Sequence, residues 1–204
     1  PEHAVADLDY APLVPNPEKT ICVGLNYADH VREMGNQTPE YPTLFAKFAP
    51  ALIGARDAIT LPSVSEAVDW EVELTVVIGS AVRHADAEQA LVAIAGYTVL
   101  NDVSVRDWQN RTKQFLQGKT FEGTTPIGPW LVTPDELPNA DGTGLAVTTT
   151  LDGETMQEST TDELIFKPVD LVRYVSTIVT LRPGDVIATG TPGGVGHARK
   201  PRGT

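Results

Sequence analysis

Apolar and polar positions alternate along much of this chain in runs too short for helices. TICVGL (20–25), DAITLP (57–62), VELTVVIG (72–79), GYTVLNDVSV (96–105), LAVTTTLDG (145–153) and GDVIATG (184–190) are bounded by turn-forming residues, and each predicts a strand. Two segments carry the wider helical spacing. In DAEQALVAIAGY (86–97), Asp86 predicts an N-cap, Gln89 completes a capping box and Gly96 ends the helix. In VDLVRYVSTIVTLRPGD (169–185), Leu171, Val175, Ile178 and Val179 share one face, and Pro183-Gly184 stops the helix. A short helical turn is expected between Asn26 and Gly35. The polar stretch REMGNQTPEYP (32–42) has few apolar anchors and is expected to be mobile. Strands outnumber helices, so the pattern predicts an α+β, mainly β fold with a few packed helices.

Composition changes this picture little, and charge changes it more. The chain of 204 residues can bury one substantial core, and no repeat or linker divides it. A net charge of -12 argues against a nucleic-acid or anionic-membrane surface, because both need clustered Lys and Arg. The single cysteine, Cys22, allows no internal disulfide and reads as a small core residue. No apolar run approaches the ~20 residues of a membrane span, and PEHAVADLDY lacks the regions of a signal peptide. A soluble, cytoplasmic protein acting on a small molecule is the expectation.

DWEVEL (69–74) raises the chemical question. Glu71 and Glu73 point to one face of a strand, with alpha carbons about 6.5–7 Å apart. Taken alone they read as the wet face, with Trp70, Val72, Leu74 and Val76 on the dry one. Three observations weigh against water. Val77 continues the carboxylate face as an apolar residue, and Asp102 ends another apolar strand. His30 and Glu33 lie at i and i+3, neighbours on a helical face. Buried carboxylates held together repel, and a divalent cation would keep them ionised. Two Glu and one Asp form an all-oxygen ligand set, which suits Mg²⁺ or Mn²⁺, with Ca²⁺ also admitted.

Five blocks then carry a resemblance. ICVGLNYADHVREMG, DWEVELTVVIG, GYTVLNDVSVRDWQ, GKTFEGTTPIGPW and VIATGTPGGVG resemble the fumarylacetoacetate hydrolase family, in that family's order and from about residue 12 to residue 197. The chain is similar to the short bacterial members, which include acylpyruvate hydrolases, oxaloacetate decarboxylases and isomerases of hydroxymuconate-type diacids. The resemblance implies a mixed β-sandwich roll of the family's C-terminal-domain type, and a homodimer. It places metal ligands at Glu71, Glu73 and Asp102, a catalytic dyad at His30 and Glu33, and a catalytic lysine at Lys119. Arg106, Gln109, Gly190 and Thr191 match positions that contact substrate. Glu122 departs from the family, which more often has Asp after GKTF. Relatives begin earlier and continue further, so 1–20 is expected to end an N-terminal segment. Residues 21–204 are then expected to form the catalytic domain without its last strands.

The implied chemistry is metal-dependent action on a 2-oxo acid, foremost hydrolytic cleavage of a carbon–carbon bond in an acylpyruvate. His30 would activate water, and Lys119 would stabilise the developing negative charge. Oxaloacetate decarboxylation and isomerisation are the alternatives on the same residues. Rivals of other classes are a catalytically silent, ion-stabilised β domain and a Schiff-base enzyme using Lys119. His3, His84 and His197 are expected at the surface. Asp107 is expected to pair with Arg106 or Arg111. GTPGGVG lacks the Gly-Lys-Ser/Thr ending of a phosphate loop.

Overall fold

The structure, a computed structural model, describes residues 8–33 and 35–199; His3 lies outside them. Its strands are β1 (Thr20–Gly24), β2 (Thr43–Lys47), β3 (Leu52–Gly54), β4 (Val68–Asp69), β5 (Val72–Ile78), β6 (Ile94–Asn101), β7 (Ser104–Val105), β8 (Thr125–Ile127), β9 (Ala146–Leu151), β10 (Glu154–Thr160) and β11 (Val186–Ala188). The helices are α1 (Ala28–Glu33), α2 (Ala87–Val92), α3 (Arg106–Gln109), α4 (Leu116–Lys119) and α5 (Pro168–Ile178). Seven strands form one mixed sheet in the order β2-β1-β11-β5-β6-β8-β3. β1 pairs in parallel with β11, and β3 with β8; the other neighbours are antiparallel. β9–β10 and β4–β7 make two separate ribbons. The mainly β fold with a few short helices is as the pattern predicts.

β5 is buried on both faces. Leu74, Val76 and Ile78 pack under α2 and α5, against Ala90, Leu171, Val172 and Val175. The alternate residue Val77 lies on the other face, with Cys22, Leu100, Ile127 and Val186. Cys22 is therefore the core residue expected. Glu71 and Glu73 share the Val77 alternation, so the sheet's second face carries the acids into the interior.

Four local expectations are corrected. DAITLP forms no strand: Asp57 Oδ2 instead accepts from the Gly54 N–H at 2.7 Å, closing a turn, and Leu61 is exposed. The capping box of Asp86 and Gln89 is present, but α2 ends at Val92 and β6 begins at Ile94. Gly96 is a strand residue, where an added Cβ would lie 2.4 Å from the Val132 carbonyl oxygen. α5 ends at Ile178, well before Pro183, and buries Leu171, Val172 and Val175 while Ile178 is 60% exposed. Trp70 is half-buried, its indole N–H donating to the Gly194 carbonyl at 3.3 Å.

This burial pattern sets an unequal cost for two residues of one helix. Leu171→Ala should lower unfolding free energy by about 2–5 kcal/mol in urea titrations. Ile178→Ala should change it by less than about 0.5 kcal/mol.

Candidate active site

The ends of β5 and β6 build the centre of the site. The Glu71 N–H donates to Asn101 Oδ1 at 3.0 Å, and the Asp102 N–H to the Glu71 carbonyl at 2.8 Å. These bonds fix the two acids side by side. Glu71, Glu73 and Asp102 are all buried, and one carboxylate oxygen from each lies within 4.8 Å of the others. Burial settles the question of the wet face against water. All three donors are hard oxygens, so the cluster can hold a divalent cation.

Three cations brace these acids. Lys119 Nζ donates to Glu71 Oε2 and Asp102 Oδ2, both at 2.8 Å. Lys47 Nζ donates to Asp102 Oδ1 at 2.6 Å. Arg106 pairs with Glu71 Oε1 at 2.7 Å through Nη1, and its Nε donates to Asp69 Oδ2 at 2.8 Å. Glu73 receives the Gly190 N–H at 2.8 Å. Gly190 has φ +102°, and an added Cβ would stand 2.9 Å from Asn26 Cβ, so glycine lets this backbone approach the acid.

The braces divide the acids into two electrostatic kinds. Burial acts to raise the Glu71 carboxyl, but Lys119 and Arg106 together outweigh it and hold it at about 2. Glu73 is pushed well above the ordinary range by burial and then by the Asp102 and Glu71 charges. Burial disfavours the charged form of Lys119, yet Asp102 and Glu71 overcome it and raise its pKa.

A cavity of about 180 Å³ opens beside Glu71 and Lys119. His30, Arg106, Gln109 and Thr191 line it, as do Phe45 and Phe115. His30 Nδ1 lies 3.2 Å from Glu33 Oε2, the geometry expected for i and i+3 on α1. The Glu33 carboxylate also accepts from the Gly194 N–H at 3.3 Å, docking α1 onto the loop after β11. Gln109 Oε1 accepts from Arg106 Nη1 at 2.9 Å. Thr191 Oγ1 accepts from Gln157 Nε2 at 2.8 Å. The structure thus gathers His30, Glu33, Glu71, Glu73, Asp102, Arg106, Gln109, Lys119, Gly190 and Thr191 into one region. Residues 36–42 are irregular and mostly exposed, with Asn36 at the cavity wall.

Sequence reading missed four residues here. Asp69 stands two before Glu71 in the same alternation, and that spacing was the available signal. Lys47 ends the short strand TLFAK, whose partner Asp102 is 55 residues away. Gln157 accepts from the Val72 N–H at 3.0 Å and so ties the β9–β10 ribbon to β5; no spacing signals it. His197, expected at the surface, is only part-exposed and lines the cavity. Asp107 receives the Ser65 hydroxyl at 2.5 Å and lies 4.0 Å from Arg111, the local role expected.

Residues 19–203 match the family described as "Fumarylacetoacetate (FAA) hydrolase C-terminal". The chain belongs to the fumarylacetoacetate hydrolase family. It is 49% identical over 189 residues to "Oxaloacetate tautomerase Fahd2a, mitochondrial" of Rattus norvegicus, covering 92% of this chain and 60% of that protein. It is 46% identical to "Oxaloacetate tautomerase FAHD2A, mitochondrial" of Homo sapiens, covering 96% of this chain and 62% of the relative. The chain therefore spans about three fifths of the length of these curated relatives. A structure described as a putative HpcE protein from Mycobacterium smegmatis superposes with TM-score 0.88 at 43% identity, covering 95% of this chain and 68% of that one. The 5-carboxymethyl-2-hydroxymuconate delta-isomerase from Mycobacterium smegmatis superposes at 0.83 and 40% identity, covering 94% and 74%. The mitochondrial names belong to the relatives and lend the cytoplasmic expectation no support. Among the described residues, no helix is long and apolar enough to cross a membrane.

The opposed acids set a pH dependence. Glu71, depressed to about 2, contributes stability above its ordinary value of 4.5 that is lost as pH falls from there toward 2. Glu73, raised, contributes stability that is complete below 4.5 and is lost as pH rises through its elevated value. In EDTA, melting temperature should fall on both sides of an acidic optimum. The increment from Mg²⁺ should grow with rising pH. Calorimetric melts from about pH 2 to pH 9 check this, and Glu73→Gln should flatten the alkaline limb.

Proposed function

We propose that the chain moves a proton between carbon and oxygen of a small 2-oxo diacid, an oxaloacetate-type keto–enol tautomerisation, and depends on a divalent cation. The supporting observation is the placement of a buried, cation-braced acid triad beside a small cavity that also holds the His30–Glu33 pair. Names of the relatives point the same way.

Glu71, Glu73 and Asp102 would hold the cation, which supplies Lewis-acid polarisation of a chelating 2-oxo carboxylate. His30 is the base: with Nδ1 held by Glu33, Nε2 is left to take the proton from C3. The C–H electron pair becomes the C2–C3 double bond, and the carbonyl pair moves to the 2-oxygen. The proton returns to that oxygen, giving the enol. Lys119, kept charged by Glu71 and Asp102, places positive charge where the oxygen gains electrons. Arg106, Gln109, Gly190 and Thr191 shape the substrate's surroundings.

Hydrolytic cleavage of an acylpyruvate is the second reading. The same His30–Glu33 pair favours it, because a base tied to a carboxylate can equally activate water. Decarboxylation of oxaloacetate would use the same polarisation without the base.

Oxaloacetate, acetylpyruvate and fumarylpyruvate assayed in parallel with Mg²⁺ separate these readings. Enolisation of oxaloacetate should dominate, EDTA should abolish it, and His30→Ala should slow it by about 10²–10⁴-fold while Mg²⁺ still binds. Full activity of Glu71→Gln in EDTA would overturn the metal-dependent reading. Borohydride trapping with pyruvate would favour a Schiff base on Lys119. A metal-raised melting temperature without any turnover would favour a silent domain.

Residues 30–33 and 35–42 are proposed as a lid over the cavity. Their amide hydrogen exchange should slow when oxalate is added with Mg²⁺. Unchanged exchange would remove the lid.

A further inference from the structure

One buried amide joins the β9–β10 ribbon to the cavity wall. The register of β10 against β9 skips Met156, the extra residue of a bulge. A bulge re-aims the side chains beside it. Gln157, on a ribbon whose residues are mostly exposed, is turned inward and is only 1% exposed. The loop after β11 presses on the same bulge. Gly194 there has φ +97°, and an added Cβ would lie 2.2 Å from the Met156 carbonyl oxygen.

All four bonding sites of the Gln157 amide are used. Oε1 accepts the Val72 N–H at 3.0 Å and the Thr149 hydroxyl at 2.9 Å. Nε2 donates to Thr191 Oγ1 at 2.8 Å and to the Pro192 carbonyl at 3.0 Å. Two of these partners admit one role each. The Val72 N–H only donates and the Pro192 carbonyl only accepts, so turning the amide over would set donor against donor and acceptor against acceptor. Backbone groups therefore fix the amide's direction, and it meets Thr191 as a donor. Thr191 Oγ1 must accept, and its own hydrogen points elsewhere. Among the described residues no acceptor takes that hydrogen. Thr191 lines the cavity and follows Gly190, whose N–H serves Glu73. A buried donor left unpaired costs about 1–3 kcal/mol. Attachment of the ribbon alone would be served by the Val72 and Pro192 bonds; the bond to Thr191 adds a direction.

We propose that Gln157 is a positioning residue that makes the Thr191 hydroxyl a hydrogen donor toward the bound ligand. A hydroxyl free to turn can donate or accept. One held by Gln157 only donates, so it favours a ligand oxygen that only accepts over a hydroxyl that must also place a hydrogen. The strongest such partner is an oxygen bearing negative charge, as on an enolate. Gln157 touches no substrate atom and acts through Thr191. The proposal rests on the 2-oxo acid reading. It goes beyond that reading by giving the β9–β10 ribbon a part in ligand binding and by fixing the sense of one hydrogen bond.

Oxalate with Mg²⁺ is the probe, because its oxygens only accept and its binding needs no turnover. In calorimetric titrations Thr191→Val should weaken oxalate about tenfold or more, and Gln157→Met by a comparable factor. The double variant should bind within about twofold of Thr191→Val alone, since both changes remove the same bond. Thr191→Ser, which keeps the hydroxyl, should retain most of the affinity. Mg²⁺ without oxalate should bind each variant within about twofold of wild type. A Gln157 that only braced Val72, between Glu71 and Glu73, would disturb Mg²⁺ as much as oxalate. Gln157→Met strands the Val72 N–H and can fail to fold, so Gln157→Glu gives a second route. It keeps the accepting oxygen and replaces the donating nitrogen with another acceptor, toward which Thr191 would turn its hydrogen. Its oxalate deficit against wild type should be full at about pH 9 and shrink as pH falls, because the protonated carboxyl donates again. Losses that multiply in the double variant, or full oxalate affinity in Gln157→Met or in Gln157→Glu at about pH 9, would overturn the proposal. Oxalate binding that depends on Gln157 through Thr191, in a protein that turns over no 2-oxo acid, would sink the proposed activity and leave this role standing. A wild-type protein that binds Mg²⁺ and ignores oxalate would overturn both.

Discussion

Lys47 ends the edge strand β2, and Asp102 follows β6, four strands away across the sheet. At about 4.8 Å per strand, a flat sheet would hold them roughly 19 Å apart. Their side chains meet at 2.6 Å, so the sheet must curl until its edge faces its middle. The ion pair and the curl require each other. A buried aspartate beside two glutamates needs positive charge, and the curl brings it from distant parts of the chain. Lys119 arrives on α4 and Arg106 on α3, each sharing an acid with another cation. The interior of the curl is a charged lattice enclosed by an apolar one.

That lattice explains why the site can be both rigid and reactive. Four carboxylates meet three cations, since Asp69 joins the triad through Arg106. Glu73 is the carboxyl left without a matching cation: it accepts the Gly190 N–H at 2.8 Å, and burial beside Asp102 and Glu71 favours its neutral form. A divalent cation in place of that proton would leave the cluster with a net positive charge. Electrostatic complementarity of this kind is arranged before any substrate arrives, so little reorganisation is needed when it does.

The alternation in DWEVEL and the acid closing YTVLND were readable because strand periodicity is local. So were the Asp86–Gln89 cap and the His30–Glu33 spacing, since both span less than one helical turn. Lys47 escaped because its significance lies in a partner 55 residues away. Asp69 was visible in the same alternation as Glu71, but its role depends on Arg106 and on residues 196 and 197 folding over it. The failures have the same origin. DAITLP alternates well enough for a strand, yet Asp57 turns the chain back onto Gly54. Ile178 fits the apolar spacing of α5 but is its last residue and is exposed.

The position of β11 has a consequence for how the molecule comes into being. Residues 186–188 insert between β1 and β5, in parallel with residues 20–22, and Asp185 accepts from the Lys19 N–H at 2.9 Å. β1 therefore waits for a strand 166 positions further along the chain before its pairing is complete. Contacts of such long sequence separation form slowly, because the loop entropy is lost before the strands can reward it. During synthesis, the earlier strands would stand with an open seam and a set of unmatched acids until β11 closes it. Gly190 and the loop that carries His197 follow directly behind. Closing the sheet and completing the cavity are thus one event, set by the arrival of β11 and the loop behind it.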